Sequence, residues 1–102
     1  MSLGLTACGG MSGTPPTITT QPQSQTAAPG TMVTFSVTAT GSTPLSYQWM
    51  ENGTAIMGAT SSSYTTPAVT VADNNSTFAA VVSNNSGSVT SNAATLTVVP
   101  VP

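Results

Sequence analysis

The side chains able to do chemistry are few: the carboxylates Glu51 and Asp73, the single thiol Cys8, and the polar aromatics Tyr47, Trp49 and Tyr64, with no Lys, Arg or His anywhere in 102 residues. Two carboxylates can make a general acid–base pair. Here neither has a polar catalytic partner marked by sequence, and without His no nucleophile–base pair can be assembled. No catalytic residue is therefore assigned, and the chain reads as a non-enzyme. Calcium takes about six to eight oxygen ligands, more than two carboxylates and a few carbonyls supply well. One Cys without His makes no ordinary zinc cage, so no metal and no cofactor is expected. Trp49 could stack on a sugar ring, but it alternates in phase with Leu45 and Tyr47, which places it in a core.

Composition excludes more. The formal net charge is −2, and only 2% of residues are charged. With no cationic side chain to displace phosphate counterions, nucleic-acid binding is not expected. Polybasic attraction to anionic lipid is absent for the same reason. Disordered chains pair low hydrophobicity with high net charge, whereas this one has a mean hydropathy of +0.18. Ser and Thr make up a third of the chain, with Val and Ala also abundant. Branching at Cβ in Thr and Val suits the pleated surface of a strand. An all-β domain follows.

The elements that must position these residues are short alternating runs divided by turn signals. TITT places Ile18 inward and stops at Gln21-Pro22. TMVTFSVTAT sets Val33, Phe35, Val37 and Ala39 on one face for four repeats, the cleanest strand signal in the chain. LSYQWM puts Leu45, Tyr47 and Trp49 on a face. The following Asn52-Gly53 predicts a tight hairpin, because both residues tolerate φ > 0. TAIM is the predicted return strand, and SSSYTT adds another around Tyr64. The stretch PAVTVADNN suits a crossing loop better than a strand. STFAAVVS turns Phe78, Ala80 and Val82 inward, residues 84–87 form a turn, and the last run buries Ala94, Leu96 and Val98. About seven strands, with a turn roughly every ten residues, match the spacing of an antiparallel sandwich or barrel.

Four landmarks in order resemble an immunoglobulin-like domain of the kind found along bacterial surface proteins: ITTQP, PGTMVTFSVTATG, LSYQWMENG and ADNNSTFAAVVSNNSG. The resemblance covers roughly residues 16–99. It implies an immunoglobulin-like antiparallel β-sandwich with Trp49 as the core tryptophan of strand C. It also implies that Val37 and Ala80 occupy the positions of the inter-sheet disulfide, so this chain folds with no disulfide. That bond is typically worth roughly 2–5 kcal/mol in a small secreted domain. Phe78 stands where the family has its corner tyrosine. Asp73, lacking an arginine partner, should accept backbone N–H groups at its turn.

Residues 1–16 read as a flexible leader, residues 17–99 as the sandwich, and 100–102 as a tail or linker. Within the leader, Leu5, Thr6, Ala7 and Cys8 resemble a bacterial lipobox, followed by a tether of Gly, Ser and Pro. The resemblance implies a lipid anchor on Cys8 as the only membrane attachment. It places the chain, exported, in the cell envelope; Gly9 after the cysteine implies outer-membrane sorting. The three sequons, at Asn52, Asn75 and Asn84, are what chance gives in so Asn- and Thr-rich a chain. Outward on strands C, F and G stand Gln48, Met50, Ala79, Val81, Thr95 and Thr97, an uncharged face on which a surface protein or glycan could dock. The loops at 41–44 and 84–87 are the other contact candidates. The function read from these features is a non-catalytic spacer or display module of a surface lipoprotein. The alternative is an adhesion module using the C–F–G face or the loop ends.

Overall fold

The computed structural model describes residues 13–100. Leu5 to Cys8 and the end of the tail at Val101 and Pro102 lie outside the described residues.

Among the described residues ten strands form two layers. The larger holds β2 (Gln25–Ala27), β5 (Ser46–Glu51), β6 (Thr54–Ala55), β8 (Ser76–Asn84), β9 (Gly87–Thr90) and β10 (Ala94–Val98). Its order is β2-β10-β8-β5-β6, with β9 also paired to β8. The smaller layer joins β1 (Thr17–Thr20) to β4 (Thr38–Thr40) and β3 (Thr34–Ser36) to β7 (Ser63–Thr65). Every pairing is antiparallel except that of β2 with β10.

The count exceeds the expected seven because the sequence pattern does not mark β2 and because two of the predicted runs are interrupted. After β1, Pro22 is buried and has no N–H to give a ladder; the chain there crosses from the smaller layer to the larger. The predicted strand through Phe35 changes partner at Val37: β3 pairs with β7, β4 with β1, and the Val37 N–H donates to the Ser62 carbonyl at 2.9 Å. The last run breaks at 91–93, between β9 and β10. The predicted return strand TAIM is reduced to β6, and Met57 is 99% exposed. The Asn52-Gly53 hairpin forms with φ of 53° and 85°, the positive pair that a two-residue turn of this hand requires. The crossing segment after Pro67 forms a short 3-10 turn at Val71–Asp73, not a strand.

The core lies between the layers. Phe35, Val37 and Val33 come from the smaller layer; Trp49, Phe78, Ala80, Val82, Leu96 and Val98 come from the larger, and all are buried. Trp49 and Ala80 are directly opposed in the β5–β8 register, and both are fully buried. Phe35 and Phe78 stack across the layers with ring centres 4.6 Å apart. Covering apolar surface stabilises by about 25 cal/mol per Å², so these inward rows supply the main driving force for closing the sandwich.

Candidate functional site

Three regions offer surfaces for function, and each begins with local sequence. At one pole the chain enters the domain through residues 13–16. The Thr14 N–H donates to the Ser42 hydroxyl at 2.7 Å, and the Ser42 N–H returns a bond to the Thr14 carbonyl at 3.1 Å. Asn84, ending β8, donates its amide Nδ2 to the Thr14 carbonyl at 2.8 Å and to the Ser42 carbonyl at 2.9 Å. Its Oδ1 accepts from the N–H groups of Ser86 and Gly87 at 2.8 and 3.1 Å, which fixes the amide. Gly41, at φ 143°, lets the entering backbone pass close; a Cβ there would stand 3.0 Å from Pro16 Cα. The two loops expected to be open contact sites are therefore partly occupied by the chain's own entry segment. Thr14, assigned to the flexible tether, is bonded into the folded unit, because backbone groups laid across two loops find partners there.

At the opposite pole the two carboxylates come together. Glu51 ends β5 in the same phase as Trp49, and Asp73 closes the 3-10 turn; both line a pocket of about 170 Å³ with Tyr64, Thr66, Phe78 and Leu96. Asp73 Oδ2 accepts from the Thr70 N–H at 2.9 Å, a backbone donor as the missing arginine requires. Thr66 Oγ1 accepts from the Val33 N–H at 3.0 Å. Burial, and secondarily the charge of Glu51, raises the Tyr64 phenol above its ordinary value. Among the described residues no three His, Cys, Asp or Glu side chains gather as a metal site. Nor is any helix there long and apolar enough to cross a membrane.

The third region is the outer face of the larger layer. Gln48, Met50, Ala79, Val81, Thr95 and Thr97 all sit on it, half-buried by their neighbours. The amide nitrogen of Gln48 is already engaged within the fold: Nε2 donates to the carbonyls of Trp49 and Ile56, both at 2.8 Å, and so ties β5 to the edge beyond it. Trp49 makes no such surface: it is fully buried, and its Nε1–H donates to the Ser61 carbonyl at 2.8 Å. Sequence reasoning missed Thr14, Ser42 and Asn84 as a set, since 42 or more residues separate Asn84 from its acceptors. It also missed Tyr64 and Thr66 as pocket residues, because they belong to the other layer.

Two facing antiparallel layers around a buried tryptophan define an immunoglobulin-like module. A family model described as an immunoglobulin domain, Ig_3, matches residues 15–100, and the chain belongs to that family. No curated protein matches it by sequence. Solved structures do. An I-band fragment of titin is 25% identical with a TM-score of 0.75, covering 84% of this chain and 33% of that one. A chimeric titin tandem carrying a fibronectin peptide is 27% identical with a TM-score of 0.74, over 87% of this chain and 52% of that one. Sidekick-1 immunoglobulin domains match at 18% identity with a TM-score of 0.76, over 88% and 21%. This chain thus spans about a third of the titin fragment. Domains of this family are typically non-enzymatic structural or binding modules.

Proposed function

We propose that the chain is a non-catalytic spacer or display module of a bacterial surface lipoprotein, held to the envelope by a lipid on Cys8. The observation that supports the spacer role is the clamp at the entry pole, a network of four hydrogen bonds among Thr14, Ser42 and Asn84. Three of these reach Thr14 itself, and the fourth joins Asn84 to Ser42. A spacer has to pass orientation along the chain, and a loose junction would lose it within a few residues. Measured by backbone ¹⁵N relaxation, Thr14 and Thr17 should be as ordered as β8, and Asn84→Ala should loosen them while leaving the core amides unchanged. Tail-like relaxation at Thr14 in the unaltered chain would remove the support for this role. For the anchor, the chain expressed with its native upstream sequence in a bacterial host should incorporate labelled palmitate, and Cys8→Ser should not.

A second reading, adhesion through the outer face, draws on its lack of any charged side chain over β5, β8 and β10 up to Glu51. It requires saturable binding of a surface protein or glycan that Val81→Lys or Thr95→Lys abolishes.

A further inference from the structure

The turn at Asn52-Gly53 does more than reverse the chain. Asn52 takes φ 53° and Gly53 φ 85°, so the backbone leaves β8 and turns back as β6. The Asn52 side chain then continues the β5–β8 ladder by one step. Its backbone N–H donates to the Thr77 carbonyl at 2.8 Å, and its side-chain Oδ1 accepts from the Thr77 N–H at 2.9 Å. The Thr77 hydroxyl donates to the same oxygen at 3.4 Å. A side-chain amide thus stands in for a strand carbonyl, and the Thr77 N–H keeps a partner.

The same pair is where the chain is best placed to react with itself. Asn52 is the sole Asn followed by Gly; the others precede Asn, Ser or Ala. A side chain on the following residue shields its backbone nitrogen, and glycine has none. Asn52 and Gly53 are both exposed, and the space beside the Gly53 Cα is open. We propose that Asn52-Gly53 is a self-modification site, a deamidating pair that the bond to Thr77 holds in check. The Gly53 nitrogen attacks Asn52 Cγ and closes a cyclic imide. The Cγ–Nδ2 bond breaks, and Nδ2 leaves as ammonia with the proton from Gly53. Water then opens the ring. Cleavage at Cγ gives aspartate; cleavage at the main-chain carbonyl gives iso-aspartate, whose backbone runs through the former side chain. While Oδ1 is tied to Thr77, Cγ is held against β8, so ring closure waits on local opening of the turn. Aspartate keeps an oxygen for the Thr77 N–H and adds a charge beside Glu51. Iso-aspartate takes that side chain into the backbone and frees the hairpin from β8. None of this depends on the spacer role.

The test is peptide mapping of the full chain after incubation at mildly alkaline pH, folded in buffer and unfolded in urea. Conversion is followed by the mass gained when an amide becomes a carboxyl, and by enzymatic methylation specific to iso-aspartate. In urea, residue 52 should convert before any other Asn. In the folded chain it should still convert first, but about ten-fold more slowly, because the Thr77 bonds must break beforehand. Equal rates in the two states, or a different Asn converting first in either, overturn the proposal. Asn52→Asp, which mimics one product, should keep the Thr77 amide protected from hydrogen exchange. The iso-aspartyl form, separated from aged protein, should lose that protection. Loss in both forms, or retention in both, overturns the role given to Oδ1.

Discussion

Tyr64 shows how one side chain's surroundings become a property of the whole protein. Its phenol is raised by burial first and by Glu51 second, so the folded state holds the proton more tightly than the unfolded chain. Below the ordinary tyrosine value of about 10, both states are protonated and the shift has no effect on stability. As pH rises past that value the unfolded chain ionises first, and stability falls until the folded phenol ionises too. With no Lys, Arg or His side chains to titrate, few other groups obscure this range. The melting temperature should therefore fall above about pH 10, and Tyr64→Phe should flatten that fall; an equal decline in both proteins would contradict the assignment. Asp73 could be read from the sequence as a backbone acceptor at its turn, and the Thr70 N–H fills that role. The double role of Asn84 could not be read, because an amide that closes its own turn looks the same whether or not its other end reaches a distant carbonyl.

Among the elements, the alternating rows were legible and the interruptions were not. Val33, Phe35 and Val37, then Phe78, Ala80 and Val82, fall inward as their period of two requires. The break between β9 and β10 is different, for nothing in SNA marks it as more than a weak strand. There the Ala80 N–H donates to the Ser91 hydroxyl at 2.9 Å, and the Ser91 N–H donates to the Ala80 carbonyl at 2.8 Å. A side-chain oxygen thus stands in for a carbonyl of the missing ladder. Ser91→Ala should strand the Ala80 N–H in a fully buried place, at a cost of about 1–3 kcal/mol. Urea unfolding measures it, and a change near zero would mean that the ladder re-forms without the hydroxyl.

For the molecule as a whole, the resemblance places Val37 and Ala80 at a cross-brace that this chain lacks, and both residues are buried, one in each layer. In a Cys8→Ser background, Val37→Cys with Ala80→Cys should oxidise to a disulfide and gain about 2–4 kcal/mol over its reduced form in urea. Failure to cross-link would show that the two positions are not the equivalent pair. What the sequence determined by itself is the local chemistry: strands from the Thr and Val alternation, a hairpin from Asn52-Gly53, an oily row around Trp49, and no cation anywhere. Each of these depends on residues within one turn or one strand of each other. Tertiary structure decided what met across the layers and at the poles. It set Glu51, Asp73 and Tyr64 around one pocket, and it bonded the entry segment at Thr14 to Asn84. Those meetings depend on how two twisted sheets are stacked and on where each run breaks, and neither is encoded by any single stretch of the chain.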